Sequence, residues 1–344
     1  MSTINQAAVA DNKKIRAPRG FKNVRFRRAV ANTIIYIALI VLSIIWIFPI
    51  VWLILQSFRA PVYSYVIDGA GQVSVVASNM GLTPVTPPTG VWSWLGYLVP
   101  QRWSLDNYYL LFADTSRYNY LKNFTNTFIV AIFTCILSTV IVLLTAYAFS
   151  RLNFKAKGPF MRLILIIGMF PGFMAMIAIY FILKGIGLLP QTSADRKPVA
   201  NYLIALILVN TSGAAMGYYV SKGFFDTISY SIDEAAMIDG ANRAQIFWHI
   251  TLPLARPIVI YQALTAFMGP WGDYIFASTI TREYKDAWSI AQVLYSMIAG
   301  LGDLPLYFTR YAAGSVLLSV PIVILFIWLQ KYYVSGVTGG AVKG

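Results

Sequence analysis

Charge is what this chain has least of: only 12% of its 344 residues are Asp, Glu, Lys or Arg, where a soluble domain averages about 25%. Hydrophobic residues make up 58% and the mean hydropathy is +0.64, so a soluble globular class is excluded and a polytopic membrane protein is indicated. The single cysteine, Cys135, rules out an internal disulfide and a cysteine metal cluster. One histidine, His249, excludes His-rich metal sites and triad chemistry. Neither Gly-Lys-Ser nor Gly-Lys-Thr occurs, so the chain has no phosphate-binding P-loop and any ATP must be handled by a partner. Nor is there a paired-carboxylate, His/Cys or Ser/His constellation. The chain reads as non-enzymatic, with no catalytic, cofactor or metal residues of its own. Acids are scarce beside bases, 13 against 27, giving a formal charge of +14. Such a surplus fits nucleic acid, anionic lipid or a topology bias, and the positions of the charges decide among them.

A bilayer-crossing helix needs about 20 apolar residues. Six charge-poor stretches qualify: 29–58, 123–150, 163–183, 198–221, 257–281 (interrupted only by Asp273) and 311–330. The expected class is therefore all-α with six transmembrane helices. An even number puts both termini on one side. Residues 1–28 carry Lys13, Lys14, Arg16, Arg19, Lys22, Arg25, Arg27 and Arg28 against Asp11, which places them in the cytoplasm. The other inner segments agree, adding Arg151, Lys155, Lys157, Arg162, Lys222, Arg243, Arg256, Lys331 and Lys343. The basic surplus is thus mainly a topology signal. The N-terminal arm reads as a juxtamembrane segment attracted to anionic lipid rather than a nucleic-acid site. The first span is too long for a cleavable signal and lacks a small-residue cleavage site, so it is expected to remain as a helix.

The organisation that follows is a basic arm (1–28), a first span (29–58), an outer loop (59–122), a core of five spans (123–332) and a tail (333–344). The outer loop reads as a small lid with a turn signal at Asp68-Gly-Ala-Gly. No repeat of 20 to 50 residues is evident. The inner loop 222–256 holds its own helical pattern. Ser231-Ile-Asp-Glu234 fits a capping box that would start a helix, and Gly240 can end it in the left-handed conformation. Asn242 to Gln245 repeats the cap-like spacing, and Pro253 and Pro257 stop the second helix. Two short helices joined at a glycine suit docking into another protein's groove, and they also suit lying on lipid.

The string Glu234-Ala235-Ala236, Gly240, Ile250-Thr251-Leu252-Pro253 resembles the EAA signature of permease subunits of bacterial binding-protein-dependent ABC importers. The closing Gln330-Lys-Tyr-Tyr-Val-Ser-Gly-Val-Thr-Gly-Gly-Ala-Val-Lys-Gly344 is similar to the end of the MalG-like, maltose-type branch. The resemblance covers about 104–344, while the outer loop and the N-terminal arm are longer than in that family. It implies a type I (MetI-like) permease core in the bacterial cytoplasmic membrane. Its implied partners are a MalF-like sister permease, a MalK-like homodimeric ATPase that binds ATP and Mg, and an extracytoplasmic sugar-binding protein. Glu234 would dock in the ATPase cleft, with Ala235 and Ala236 permitting close approach and Gly240 setting the bend. Ile250, Leu252 and Pro253 would anchor the second helix on the bundle. Gly339, Gly340, Lys343 and Gly344 would reach the ATPase interface, and the outer loop near Gly300, Leu301, Gly302 and Asp303 would reach the binding protein.

Other residues keep two readings each. Asp273, an intramembrane acid, suits a pathway function or a structural hydrogen bond in a kinked helix. Asn210, beside Thr211 and Ser212, suits a sugar pathway or interhelical contacts. Pro171, Pro270 and Pro321 interrupt spans three, five and six. Maltose or maltodextrin is the expected cargo. Alternatives are another sugar or glycerol phosphate on the same machine, an ion-coupled secondary transporter using Asp273, or a membrane scaffold.

Overall fold

The computed structural model describes residues 20–60, 62–67, 73–78, 95–100, 102–115, 117–169, 172–192, 195, 197–212, 215–282, 284–299 and 304–341. The chain divides into two compact units, Met1–Leu53 and Ile54–Gly344. Helix α1 (Gly20–Ser57) contains Pro49 and supplies the described part of the first unit. Its side chains from Phe26 to Ile50 are exposed, Trp46 by 74%. A helix that is apolar all round and buries nothing within its own unit matches a lipid-facing span.

In the second unit the last turn of α1 is followed by a hairpin, β1 (Val62–Ile67) and β2 (Val73–Ser78), paired antiparallel with Val62 opposite Ser78 and Ile67 opposite Val73. The helical class therefore holds for the core, and the outer loop adds these two strands. The turn read at Asp68-Gly-Ala-Gly lies outside the described residues. Two helices follow, α2 (Leu95–Leu98) and α3 (Asp106–Ala113). Helix α3 is no lid: Asn107 and Leu111 are buried, and Leu111 joins a cluster with Tyr118, Tyr120, Ala131, Trp271 and Val293.

Helix α4 (Tyr120–Arg151) is the spine of this unit, because its residues enter all three apolar clusters. After it come α5 (Lys157–Gly168), α6 (Gly172–Gly185), α7 (Val199–Ser212) and α8 (Ala215–Asp226). Next are α9 (Tyr230–Ile238), α10 (Arg243–Ile246), a π-helical turn (Phe247–Thr251), α11 (Leu252–Leu254) and α12 (Arg256–Gly272). The chain closes with α13 (Ile275–Thr281), a 3-10 turn (Lys285–Ala287), α14 (Ile290–Ala299) and α15 (Leu304–Ala341). Helix α4 packs chiefly on α12 and α8.

Among the described residues, three helices are long and apolar enough to cross a bilayer: Phe26–Ser57, Tyr120–Arg151 and Tyr307–Gln330. The number rises to five if each of two bent pairs counts as one crossing. The stretch 163–183, read as one span, is instead the two shorter helices α5 and α6, with Pro171 in the break and outside the described residues. Proline lacks an N–H donor and disfavours helix in the residue before it. The fifth stretch also divides, at Asp273 and Tyr274 between α12 and α13. Pro321, by contrast, does not interrupt the sixth, since α15 runs through it.

Candidate functional site

Helix α9, the left-handed Gly240 (φ +84), α10 and the π-helical turn form a compact knob at one end of α4. The helix starts earlier than read from Ser231 and Glu234: Ser229, in extended conformation, is the cap, and its side chain accepts from the Ser231 N–H. No Ser231–Glu234 capping box forms. At α10 the expected box is present, with the Asn242 side chain accepting from the Gln245 N–H at 2.9 Å and Gln245 Oε1 accepting from the Asn242 N–H at 2.8 Å. The five-residue π-helical turn widens the helix ahead of Pro253, and the chain turns at Ala255 by 83° between Arg243–Leu254 and Arg256–Gly272. His249 Nδ1 donates to the Gln245 carbonyl at 3.1 Å, and the side chain is exposed.

Glu234 and Ala235 face outward, flanked by exposed Ile232, Met237 and Ile238, the last 87% exposed. Exposed apolar side chains next to a carboxylate suit a protein groove better than water. Ala236 does not share that face; it is buried. Ile250 and Leu252 are half-buried, Leu252 packing on a cluster with Tyr147, Phe225, Phe247 and Ile258. Pro253 is exposed.

The knob is fastened by residues that sequence reading passed over as loop charges. Arg151, the last residue of α4, lies 3.3 Å from Asp233, with side chains 0% and 2% exposed. Its Nη2 donates to the carbonyls of Phe225 (3.1 Å) and Ile228 (2.7 Å), and its guanidinium sits 4.4 Å from the Tyr230 ring centre. The Tyr230 hydroxyl donates to the Ser150 carbonyl at 2.7 Å. Ser150 donates in turn to Asp226 at 2.6 Å, and Lys222 donates to the other Asp226 oxygen at 2.6 Å. The signal available in sequence was an acid directly before Glu234 and a base at a span end.

Asp273 caps the break in the fifth stretch. It accepts from the Phe276 N–H at 3.1 Å and from Asn210 Nδ2 at 3.4 Å. The adjoining cavity, lined by Asn126, Asn210, Asp273 and Ser289 among others, measures about 10 Å³, room for about one water. In this arrangement both side chains are engaged in hydrogen bonds within the protein. A roomier cavity of about 290 Å³ lies beside Thr134, Ser138, Asn210 and Gln262. Gly300, Leu301, Gly302 and Asp303 lie outside the described residues, as do Lys343 and Gly344. Gly339 and Gly340 continue the backbone of α15. Among the described residues no cluster of His, Cys, Asp or Glu has the makings of a metal site.

Residues 138–339 match the model of the family described as binding-protein-dependent transport system inner membrane component. The maltodextrin transport system permease protein MalD of Streptococcus pneumoniae is 33% identical over 324 residues, covering 94% of this chain and 99% of that protein. The maltodextrin permease MdxG of Bacillus subtilis is 37% identical over 70% of this chain and 81% of its own length. The galactooligosaccharides permease GanQ of the same organism is 34% identical over 72% and 83%. In the solved structure of a bacterial ABC transporter involved in the import of alginate, one chain superposes with a TM-score of 0.62 at 20% identity, over 89% of this chain and 97% of that one; that likeness concerns the fold. The apolar helices and these alignments converge: the chain is a multi-pass membrane translocation subunit and belongs to the binding-protein-dependent transport system inner membrane component family of ABC importer permeases.

Proposed function

We propose that this chain is the MalG-like permease subunit of an ATP-driven importer of neutral oligosaccharides, with maltodextrin as its cargo. The observation that carries the reading is the nearly end-to-end alignment with a maltodextrin permease, 94% of this chain against 99% of that one. Galacto-oligosaccharide is the second cargo, favoured by the 34% identical permease for those sugars.

In this reading α9 is the coupling helix. Glu234 enters a cleft of the partner ATPase, Ala235 allows close approach, and closure of the ATPases on ATP and Mg tilts the knob and turns the cavity outward. Ala236, which is buried, supports that contact from within the permease. The other partners are a sister permease and an extracytoplasmic sugar-binding protein, the latter met by Gly300, Leu301, Gly302 and Asp303. Gly339, Gly340, Lys343 and Gly344 approach the ATPase dimer. Six crossings with both termini in the cytoplasm complete the topology, consistent with the basic residues before the first span.

The test is radiolabelled maltodextrin uptake and ATP hydrolysis in proteoliposomes holding the full assembly, comparing the parent chain with Glu234→Lys. Loss of uptake with the ATPases still hydrolysing, or detached, supports the coupling role. Unchanged uptake that still needs the binding protein overturns it, and uptake without any ATPase moves the chain to the ion-coupled class.

A further inference from the structure

We propose that Arg151 is a positioning residue that sets the angle of the coupling knob, tying α9 to α4 and α8 so that the ATPase stroke enters the bundle through α4 as well as through the last spans. The proposal rests on the reading of α9 as the coupling helix. Three elements meet at one guanidinium. It terminates α4, where a cation is favoured by the helix dipole. Its Nη2 holds the carbonyls of Phe225, which also accepts from the Ile228 N–H in the turn, and of Ile228, just beyond α8. Its remaining face meets the Tyr230 ring at 4.4 Å and Asp233 at 3.3 Å on α9.

Asp233 is the residue next to Glu234 in the same helical turn. The pair therefore presses one side of α9 onto α4 while the other side presents Glu234 to solvent. A rotation of α9 that moves Glu234 has to move Asp233 against a fixed, fully buried Arg151.

Stability alone does not account for these charges, since a buried ion pair is often matched by apolar residues of similar volume. The pair is also incompletely satisfied. The 3.3 Å separation is ion-pair distance without hydrogen-bond geometry, and both Asp233 oxygens and Arg151 Nε and Nη1 lack a hydrogen bond among the described residues. A small rotation of α9 changes how squarely the Asp233 carboxylate meets the Arg151 Nε–H while the Nη2 protons stay on the two carbonyls, and Lys has no second nitrogen with which to serve both. The strength of the joint therefore follows the angle of α9, because loosening it leaves two buried charges unpaired.

The test uses the reconstituted full assembly with the loaded binding protein and radiolabelled maltodextrin, and reads sugar moved per ATP hydrolysed. Variants are Arg151→Lys, isosteric Asp233→Asn, and the double Arg151→Met/Asp233→Leu, which leaves no unpaired buried charge. The expected result is assembled complexes that still hydrolyse ATP but move about tenfold less sugar per ATP, within the usual range of allosteric coupling. Parent-like sugar moved per ATP in an assembled variant overturns the proposal. Failure of all three variants to assemble overturns it too, because Arg151 would then serve folding and not the angle. A parent assembly that moves sugar with no ATPase present instead sinks the importer reading, so the two failures are told apart.

Discussion

At the knob end, Arg151 and Asp233 meet with side chains 0% and 2% exposed, whereas at the far end of α4 Lys122 and Asp286 meet at 2.5 Å with side chains 40% and 55% exposed. The same helix thus carries a buried ion pair at one terminus and a solvated one at the other. A solvated pair contributes little net energy because water and salt screen it. A buried pair costs its desolvation and has to be held by further contacts, here two backbone carbonyls and a tyrosine ring. Order near Lys122 comes from packing instead: the Tyr120 hydroxyl donates to the Gly314 carbonyl at 2.7 Å, and a Cβ at Gly314 would lie 2.7 Å from Leu294 Cδ2 and 3.0 Å from Tyr120 Cε2. Charge sets the geometry at the knob end; close approach of α15 to α4 and α14 sets it at the other.

Asp233→Ala gives the largest contrast, leaving Arg151 buried without its anion; thermal denaturation of the purified assembly should report a loss of about 3 to 5 kcal/mol. Gly314→Ala is expected to cost about 1 to 3 kcal/mol by overpacking. That loss should persist at high salt, since no charge is involved, and a denaturation series across salt concentrations checks it. Removing the α10 cap by Asn242→Ala should cost about 1 kcal/mol and raise amide exchange in 243–246 relative to α9. Smallest is Asp286→Ala, within about 1 kcal/mol and fading as salt rises. An Asp286→Ala cost equal to that of Asp233→Ala would erase the distinction between the ends.

Much of the knob was legible beforehand because caps and glycine turns are local chemistry. Asn242 and Gln245 satisfy each other's N–H groups, and Gly240 takes the left-handed conformation expected of it. The helix start was not legible from Ser231 and Glu234: Tyr230 is drawn into the helix by its hydroxyl on Ser150 and its ring beneath Arg151, contacts with a residue far off in the chain. Arg151 itself read only as an inner-loop base, since nothing local names Asp233 as its partner. Asp273 drew attention as a charge inside a span, and its hydrogen bonds to Asn210 and the Phe276 N–H account for it as a helix cap.

Composition and charge-free stretches determined by themselves that the chain is a polytopic membrane protein with a helical inner loop, because apolar length and local backbone chemistry require no knowledge of distant partners; that it is a permease came from the resemblance of its EAA string. Where the helices break, which face of α9 is buried, and which charge holds it were decided only by tertiary structure. Those outcomes depend on residues far apart in sequence sharing one desolvated space, where an unpaired group costs several kcal/mol and a paired one sets the angle.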